Sequence, residues 1–304
     1  MRALITGASG FVGRALVSHL LEIGDEVIEH DRVGGGPDLI DRSGMFDLVG
    51  GAAPHVIYHL AAQSHVPTSW SDPIGTLRTN VEGTQNVLDA AAEGDVSRVL
   101  VVSSAEVYGS VDQDRLPITE EFPLLPRTPY AASKVGADAL ALQAFLGRGQ
   151  DVIRLRAFNH IGPGQRTAFV CAGIAHRIAR AERDGTTSIE IGALDVRRDF
   201  TDVRDVVRAY RLTAEHGAAG EAYNVCSGVD RSIGELAEAL IEHAGTSFTL
   251  SPIDDLIRTI DTPIVRGDHS KIRAQTGWEP SISITRSLRD ILNDARERLD
   301  ASGD

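Results

Sequence analysis

The stretch that decides the fold is MRALITGASGFVGRALVSHLL, residues 1–21. Residues 3–5 form a short apolar run that is typical of a buried strand, and residues 11–21 place apolar side chains at helical spacing. Three glycines lie at the junction of these two patterns: Gly7, Gly10 and Gly13. The order of strand, glycine turn and helix therefore predicts the first βα unit of a sheet.

Each glycine suits a different need of a dinucleotide-binding turn. Gly7 permits the tight turn out of the strand, Gly10 lets the backbone approach a pyrophosphate, and Gly13 lets the helix pack closely. The anion then lies at the helix N-terminus, where free N–H groups and the helix dipole favour it. The spacing is G-x-x-G-x-x-G rather than the commoner G-x-G-x-x-G, so a purely structural turn stays open as the alternative.

The second apparent strand ends in GDEVIEHDR, and Asp31 lies eighteen residues after Gly13. A carboxylate at this place accepts hydrogen bonds from the adenine ribose, which indicates NAD(H). Arg32 leaves NADP(H) open, since a guanidinium pairs with the additional phosphate. The simpler alternative is that both are solvated turn residues.

Composition restricts the class of protein. With 304 residues and 42% apolar content, the chain can bury a large core, as one large domain or two closely joined ones. The formal net charge is −13 and there is no run rich in Lys or Arg, so we expect neither a nucleic-acid partner nor a membrane partner. No apolar stretch approaches a membrane span, the first strand begins at residue 2, and the two cysteines have no metal or disulfide spacing. We expect a cytoplasmic protein without a metal site.

Short apolar strands alternate with helical stretches as far as Gly162. This alternation predicts βαβ units with right-handed crossovers, and thus an α/β fold with a doubly wound parallel sheet. The rhythm then changes, which indicates a smaller, interlaced C-terminal α/β substrate domain. We assign 1–162 to a dinucleotide-binding domain with a returning segment near 200–226, and 163–199 with 227–304 to the second domain. The proline-rich connection between Pro117 and Pro129 is expected to form a loop over the site.

The strongest chemical signal is PYAASK, in which Tyr130 and Lys134 share one face of a helix. The unperturbed pKa of a phenol is about 10, and a nearby ammonium favours the phenolate. Such a pair is suited to exchange a proton with a sugar hydroxyl or carbonyl while a nicotinamide carries the hydride. Lys134 is also placed to reach the nicotinamide ribose. Alone, a Tyr-x-x-x-Lys pair is usually surface decoration, so its meaning depends on neighbouring motifs.

The stretch VVSSAEVYG supplies such a neighbour. Ser103 and Ser104 end an apolar strand, at the edge where open parallel sheets bind ligands. Ser104 is suited to donate a hydrogen bond to the substrate oxygen that Tyr130 protonates. Glu106 has two interpretations: a carboxylate that acts in the site, or the partner of Ser103 in a Ser-x-x-Glu capping box.

Together, TGASGFVG, HLAAQSHV, SSAEVYG, PYAASK and RDFTDVRDVV resemble the extended short-chain dehydrogenase/reductase family, the NAD-dependent epimerases and dehydratases, over nearly the whole chain. This family remodels nucleotide-linked sugars on a Rossmann sheet. The stretches FNHIGPGQ, FTDVRDVVRAY, AYNVCSG and TGWEP look most like its GDP-4-keto-6-deoxy-D-mannose reductases. The resemblance implies an oxidoreductase that reduces this GDP-linked nucleotide-sugar substrate at C4 to GDP-D-rhamnose with NAD(P)H.

The resemblance also implies roles for individual residues. It implies catalysis by Ser104, Glu106, Tyr130 and Lys134. It implies dinucleotide binding by Gly7, Gly10, Phe11, Val12, Gly13, Asp31, Arg32, Asp38, Leu39, Leu60, Ala61, Ala62, Asn80, Ser103, Tyr130 and Lys134. It implies binding of the sugar nucleotide by Gln63, Ser104, Glu106, Asn159, Arg198 and Arg258. The two arginines would clamp the diphosphate. A surface ion pair is the alternative for each, and the sequence at Arg258 departs from the family's usual Arg-Pro pattern.

Three reactions use this scaffold. A 4,6-dehydratase needs an acid and a base beyond the tyrosine, and Ala105 occupies the position where the family's dehydratases commonly carry the first of two acids. Dehydratases of the GDP-mannose type also lack that acid, so elimination is disfavoured rather than excluded. A 4-epimerase that retains NAD needs only Ser104, Tyr130 and Lys134 and is the main alternative. A non-enzymatic redox sensor is a further one.

Other signals have structural interpretations. Three histidines fall within motifs but share no metal-ligand spacing, so we expect packed or hydrogen-bonded side chains at His59, His65 and His160. We expect His30 and His55 on the surface. Family resemblance implies a homodimer built from the helices predicted at 79–94 and 131–147. The second helix offers four apolar candidates: Val135, Leu140, Leu142 and Leu146.

Overall fold

The structure is a computed structural model and describes residues 1–253 and 262–302. Its strands in chain order are β1 (Arg2–Thr6), β2 (Glu26–His30), β3 (Val56–His59), β4 (Arg98–Ser104), β5 (Val152–Ala157), β6 (Asn159–Ile161), β7 (Ser188–Ile191), β8 (Arg197–Asp202), β9 (Ala222–Val225), β10 (Asp230–Ser232), β11 (Thr249–Pro252) and β12 (Ile264–Val265).

The α-helices in chain order are α1 (Phe11–Glu22), α2 (Arg42–Ala52), α3 (Val66–Ser71), α4 (Pro73–Leu77), α5 (Gly83–Glu93), α6 (Pro129–Arg148), α7 (Val170–Asp184), α8 (Val203–His216), α9 (Ile233–Ala244), α10 (Ser270–Thr276) and α11 (Ile284–Ser302). A π-helical turn, Arg78–Glu82, joins α4 to α5, and 3₁₀ turns occupy Ala105–Tyr108 and Gln113–Arg115.

A six-stranded parallel sheet forms the centre of the first unit, with strand order β2-β1-β3-β4-β5-β9. Residues 3–6 of β1 are fully buried because helices cover both faces, which is why this strand is continuously apolar rather than alternating. The order of the strands reverses between β1 and β3. In doubly wound sheets, ligands bind at the carboxyl ends of the strands at such a reversal. The predicted doubly wound sheet is confirmed.

Two hydrophobic clusters hold the helices on this sheet. On one face, α1 and α8 pack through side chains such as Leu16, Leu20 and Tyr210. On the other, α2, α5 and α6 pack through residues such as Met45, Leu88 and Ala144. Helix α6 begins two residues earlier and ends one residue later than the predicted 131–147, because Thr128 caps its N-terminus and Gly149 its C-terminus.

A second, smaller unit has its own core, built from α7, α9 and α11 around residues such as Ile174, Leu236 and Leu288. Strand β8 connects the two units: it pairs with β10 and β12 at its start and with β6 at its end. The returning strand predicted in EAYNVCSG is β9, which pairs with β5 in parallel register from Arg154 opposite Ala222.

The predicted division of the chain differs from the packing at one place. Residues 227–304 were assigned to the second domain, but Ile272 of α10 and Trp278 pack in the first core, against α8 and β9. The Trp278 indole also donates a hydrogen bond of 2.9 Å to the Asp205 carbonyl. The chain therefore returns to the first unit a second time, before α11 crosses back.

The connection from Pro117 to Pro129 is irregular, as predicted. Ile118 anchors it, since its N–H donates to the Arg266 carbonyl and its carbonyl accepts from Asp268 N–H, both at 2.9 Å. Across the described ranges, 1–253 and 262–302, no helix combines the length and the apolar character needed to span a bilayer.

Candidate active site

The turn after β1 has the geometry expected of a dinucleotide cradle. Gly7 has φ +78°, and a Cβ there would lie 2.8 Å from the Ala61 nitrogen, so neither the backbone nor the space admits a side chain. A Cβ at Gly13 would lie 2.1 Å from the Gly7 carbonyl oxygen. Gly13 thus brings α1 against the turn itself. Gly10 is the N-cap of α1 and supplies no capping side chain.

These features test whether the site fits a dinucleotide. The N-terminus of α1 carries no side-chain cap and begins in a glycine cradle, which leaves its first N–H groups for an anion. At the carboxyl end of β4, the buried Ser103 hydroxyl has no hydrogen-bond partner among the described residues. A bound ligand can satisfy such a group. The residues present therefore fit a dinucleotide.

Arg14 was missed by the sequence analysis. It lies on α1, and its guanidinium donates to the Ser9 carbonyl and, at 3.1 Å, to the Gly164 carbonyl. It therefore ties the glycine turn to the GPGQ loop that follows β6. Phe11 and Val12, at the start of α1, pack against the first core, and the Phe11 ring stacks on His160 at 6.0 Å between centroids.

Asp31 follows β2 directly and faces the glycine turn. Its carboxylate accepts from the Ser9 N–H at 3.3 Å and from the Val33 N–H at 3.1 Å. Burial acts to raise its pKa, but the hydrogen bonds from Ser9 and Val33 outweigh it and lower the pKa below the ordinary value. Asp31 is therefore a carboxylate at the rim of the cradle.

Arg32 and Asp38 form an ion pair of 3.2 Å, with Arg32 largely exposed. Leu39 is buried and packs on Gly83, where a Cβ would lie 2.7 Å from the Leu39 Cβ, and its carbonyl accepts from Asn86. The side chain of Leu39 therefore belongs to the core, which leaves its backbone N–H for any contact with a dinucleotide.

Residues after β3 form the opposite wall of the cradle. Leu60 and Ala61 are held to β1, because Leu60 N–H donates to the Thr6 carbonyl at 3.2 Å and Ala61 N–H to the Thr6 hydroxyl at 3.3 Å. Ala62 follows and is half-buried. The predicted segment Leu60 to Ala62 and the glycine turn therefore lie side by side, just beyond the carboxyl ends of the paired strands β1 and β3.

Asn80 is hydrogen-bonded within the protein through its side-chain amide. It lies in the π-helical turn, is 1% exposed, and exchanges hydrogen bonds of 2.8 and 3.0 Å with the Gln63 backbone. Its amide also donates to the Ser133 hydroxyl at 2.8 Å, which in turn donates to the Tyr130 carbonyl at 2.6 Å. Asn80 therefore fixes the positions of Gln63 and the start of α6, and its contact with the dinucleotide stays a prediction.

Gln63 is similarly engaged through its side chain. Its amide nitrogen donates to the Thr76 hydroxyl at 3.0 Å, and its amide oxygen accepts from the His65 N–H at 2.5 Å. Both ends of the amide thus hold the loop before α3 in place. The amide is thus engaged within the loop, and the direct contact of Gln63 with the sugar nucleotide stays a prediction.

Ser104, Tyr130 and Lys134 come together at the carboxyl end of β4. Tyr130 lies in the first turn of α6, where its buried phenol neighbours the Ser104 hydroxyl. Lys134, one turn later, is 7% exposed and donates to the Val102 carbonyl at 2.8 Å. The predicted catalytic set is therefore assembled.

The electrostatics of this set differ from the expectation in one respect. Burial raises the pKa of Tyr130 to about 12, with the Glu106 carboxylate acting in the same direction and the Ser104 hydrogen bond opposing it. Burial lowers the pKa of Lys134 to about 8. The ammonium bonds to β4 rather than to the phenol, and burial sets the direction of the Tyr130 pKa shift. Tyr130 is a protonated phenol at neutral pH, which suits a proton donor.

The capping box proposed for Ser103 and Glu106 is wrong. Ser104, not Ser103, caps the 3₁₀ turn, and its hydroxyl accepts from Glu106 N–H at 3.2 Å. The reason is the backbone: Ser104 has the extended conformation of an N-cap, φ −149°, at the last position of β4. The Glu106 side chain is exposed beside Tyr130.

Two further residues predicted to bind substrate, Asn159 and Arg198, lie on β6 and β8. Asn159, on β6, is exposed and pairs opposite Phe200 of β8. The Arg198 guanidinium donates to the Thr262 carbonyl at 2.6 Å and to the Arg197 carbonyl at 2.7 Å. Arg258 lies outside the described residues.

The histidines are hydrogen-bonded, as predicted for three of them. His59 is buried between the Thr6 and Thr84 hydroxyls, and burial lowers its pKa to about 3. His65 bonds to the Thr68 hydroxyl and His160 to the Phe158 carbonyl. His55 is exposed, as expected. The surface position predicted for His30 is wrong: its ring is buried against the Pro37 carbonyl at 3.0 Å.

A buried ionic network behind the catalytic set was also missed. Asp138 lies one turn after Lys134 on α6 and bonds to Arg156 of β5 at 2.9 Å. Arg156 donates to the Tyr108 hydroxyl at 3.1 Å, and Tyr108 donates to Asn224 of β9 at 2.7 Å. Because Tyr108 ends the turn that starts after Ser104, this network fixes Ser104 relative to α6. The i, i+4, i+8 spacing of Tyr130, Lys134 and Asp138 was the available signal.

Comparisons with known proteins agree with this geometry. A sequence model of the family described as GDP-mannose 4,6 dehydratase matches residues 36–291. GDP-6-deoxy-D-mannose reductase of Pseudomonas aeruginosa is 40% identical over 304 residues, which cover 98% of both chains.

Solved structures of nucleotide-sugar enzymes are similar to this chain over almost its whole length. The structure of RMD from Pseudomonas aeruginosa complexed with NADPH superposes with a TM-score of 0.90 at 40% identity, covering 98% of this chain and 100% of that one. UDP-glucose 4-epimerase of Thermus thermophilus, in complex with NAD, superposes with a TM-score of 0.87 at 28% identity over 97% and 99% of the two chains.

Proposed function

Because the chain belongs to the extended short-chain dehydrogenase/reductase family of NAD-dependent epimerases and dehydratases, we propose that it is a nucleotide-sugar reductase. It reduces GDP-4-keto-6-deoxy-D-mannose at C4 to GDP-D-rhamnose with NAD(P)H. The observation that carries this proposal is the buried Tyr130 phenol beside Ser104 at the carboxyl end of β4. The relative at 40% identity favours the reductase among the reactions that use such a donor.

The dinucleotide is held by three parts of the chain. The glycine turn and the N-terminus of α1 bind the pyrophosphate, Asp31 accepts from the adenine ribose, and the segment Leu60 to Ala62 forms the facing wall. Arg32, paired with Asp38 and exposed, is free to turn toward a 2′-phosphate, so both NADH and NADPH are accommodated. The NADPH complex of the Pseudomonas aeruginosa relative supports binding of NADPH, and the NAD complex of the Thermus thermophilus relative supports binding of NAD(H).

Reduction needs a proton at the C4 oxygen. A bound reduced nicotinamide supplies the hydride. Tyr130 donates its phenolic proton to the C4 oxygen as negative charge develops there, and the Ser104 hydroxyl holds that oxygen in line. The Lys134 ammonium, between β4 and α6, stabilises the phenolate left on Tyr130 and contacts the nicotinamide ribose. Glu106, exposed beside Tyr130, and Asn159 border the sugar.

The diphosphate is bound at the second unit. Arg198 on β8 and Arg258 supply guanidinium groups, which match the geometry of phosphate oxygens. Fixing the diphosphate there brings the C4 carbonyl to Tyr130 in a reactive orientation, and such positioning accounts for a large part of an enzyme's rate enhancement.

Ala105 supports reduction over elimination. It is buried in an apolar cluster with Val107, Tyr108 and Ile118, immediately after Ser104. An alanine cannot protonate a leaving hydroxyl, so the site lacks an acid where a dehydratase of the family commonly has one. Epimerisation remains the main alternative, because Ser104, Tyr130 and Lys134 suffice for it and Asp31 suits retained NAD.

We propose that the protein is a cytoplasmic homodimer. Several apolar side chains are exposed on or beside the helices expected to form the interface: Trp70, Ile74, Leu77 and Leu146. Val135, Leu140 and Leu142 are half-buried in α6. Cys171 and Cys226 are buried thiols, which suits a reducing compartment.

The nucleotide that copurifies with the protein separates the two leading reactions. A reductase exchanges its cofactor at every turnover, so the protein should purify without a stoichiometric nucleotide and bind added NAD(P)H reversibly. Absorbance and mass spectrometry of the denatured supernatant measure this directly. Tightly retained NAD in a one-to-one ratio would favour the epimerase.

A further inference from the structure

Asp199, next to Arg198 on β8, is a buried carboxylate that the mechanism does not use. Its side chain is 0% exposed. One oxygen accepts from Ser227 N–H at 2.7 Å and from the Ser227 hydroxyl at 2.6 Å. The other accepts from Gly228 N–H at 2.9 Å and from Gly267 N–H at 3.2 Å. All four donors are neutral groups.

These donors lie at two crossings of the chain between the units. Ser227 and Gly228 lead from β9 of the large sheet to β10, and Gly267 leads from β12 towards α10 in the first unit. Both crossings are tightly built. Gly228 has φ +80°, and a Cβ at Gly267 would lie 2.6 Å from both the Cys226 sulfur and the Phe158 ring. Asp199 therefore joins the two crossings at a point where neither has room to shift.

The second of these crossings begins with segment 262–267, and Arg198 holds the start of that segment. The Arg198 guanidinium donates to the Thr262 carbonyl, and Val265 pairs opposite Arg198 in β12. Segment 262–267 is thus fixed by Arg198 at its start and by Asp199 at its end. It is also bonded to Ile118, which lies in the loop over the site.

We propose that Asp199 is a positioning residue that sets the diphosphate site at Arg198 relative to the proton donor Tyr130, an inference that rests on the proposed function. Tyr130 belongs to the first unit and Arg198 to the second, so the sugar carbonyl meets the phenol only if the crossings hold the two units in register. Asp199 binds both crossings and is covalently adjacent to Arg198. It acts through that residue and touches neither cofactor nor substrate.

The chemistry explains why a carboxylate is needed. Two oxygens with four lone-pair directions match four donors, whereas an asparagine amide would turn an NH₂ group toward N–H donors on one side. Leaving buried N–H groups unpaired destabilises the arrangement, with a change in the equilibrium constant of roughly fivefold to a hundredfold.

The test compares Asp199→Asn with a matched control, Asp25→Asn. Asp25 is also a buried aspartate, but it lies just before β2, at the amino ends of the strands, whereas the site lies at their carboxyl ends. For Asp199→Asn we expect the KM of the keto-sugar nucleotide and the Kd of GDP to rise about tenfold or more, with the Kd of NADPH unchanged within about twofold. Amide exchange should accelerate at Gly228 and Gly267 and not in β1. The control should leave both affinities unchanged.

A double-mutant cycle adds a readout that a merely structural role would not give. Because Asp199 acts through Arg198, Asp199→Asn should add little further loss of GDP affinity to Arg198→Ala. Additive losses, or equal losses of GDP and NADPH affinity in Asp199→Asn, would overturn the inference. If the wild-type protein binds GDP but does not reduce the keto-sugar, the proposed reaction is overturned. The double-mutant cycle on GDP affinity then still tests the role of Asp199. Wild-type protein that binds no nucleoside diphosphate overturns both.

Discussion

The Lys134 ammonium donates a hydrogen bond of 2.8 Å to the carbonyl of Val102, two residues before Ser104. This contact joins α6, which carries Tyr130, to β4, which carries Ser104. The ammonium is therefore fixed beside the pair that handles the proton, and its charge is available when the phenol loses that proton. The position of the Lys134 ammonium beside this pair leads to two predictions, one for Tyr130→Phe and one for the pH dependence of turnover.

Tyr130→Phe should lower turnover by roughly 10² or more, because a positioned proton donor typically contributes at least that factor. The Kd of NADPH should stay close to that of the wild type, since the phenol is not part of the glycine cradle. Steady-state rates and fluorescence titration measure the two quantities. Tyr58→Phe is a matched control: it removes a buried phenol whose hydroxyl has no hydrogen-bond partner among the described residues, and it should keep wild-type turnover. Wild-type turnover of Tyr130→Phe would remove Tyr130 from the mechanism.

Turnover should fall as the pH rises through about 8. Burial lowers the pKa of Lys134 to about 8, so the side chain is charged below that pH and neutral above it. Tyr130, whose pKa burial raises to about 12, keeps its proton over the same range, so the loss belongs to Lys134. The profile of kcat against pH at saturating substrates checks this. A constant rate from pH 7 to 10 would contradict the assigned role of the ammonium, and Lys134→Arg, which stays charged, should flatten the fall.

Asp31→Ala should shift cofactor preference toward NADP(H). The substitution removes an acceptor for the ribose hydroxyls and a negative charge that repels a 2′-phosphate. The ratio of kcat/KM for NADPH and NADH measures the effect. Asp47→Ala, which removes an exposed carboxylate from nearby α2, controls for the change in net charge and should leave the ratio unchanged. An unaltered ratio in Asp31→Ala would count against the ribose assignment.

The protein should have the mass of a homodimer at micromolar concentration in light scattering. Leu146, near the end of α6, is 72% exposed, so Leu146→Glu should shift the mass toward the monomer by placing a charge in the interface. Val33→Glu, at a position 87% exposed in the loop after β2, should not. A wild-type monomer at this concentration would refute the proposed assembly.

Local patterns predicted the parts of the site that depend on short-range geometry. Periodicity predicted the strand that ends at Ser104 and the helix that carries Tyr130 and Lys134. The glycines at the end of the first strand predicted the turn. The hydrogen bonds of Asn80 could not be predicted, because its partners, Gln63 and Ser133, lie far from it in sequence. The cap at Ser104 was misplaced by one residue because it depends on where β4 ends.

The contacts that connect the two units could not be predicted from the sequence either. Asp199 binds residues 28 and 68 positions away, and Trp278 returns to the first core 73 residues after its partner Asp205. Such contacts are set by topology, and no local pattern encodes them. The three aspartates of RDFTDVRDVV served only as a family motif, whereas in the structure Asp199, Asp202 and Asp205 each fasten a different later segment.

The most direct measurement is the oxidation of reduced nicotinamide in the presence of enzymatically prepared GDP-4-keto-6-deoxy-D-mannose, with the product analysed by NMR. The reductase predicts loss of the reduced-nicotinamide absorbance in a one-to-one ratio with GDP-D-rhamnose formed, and no loss with GDP-mannose or UDP-sugars. No oxidation with the keto-sugar, together with interconversion of two saturated sugar nucleotides, would contradict the account and establish the epimerase instead.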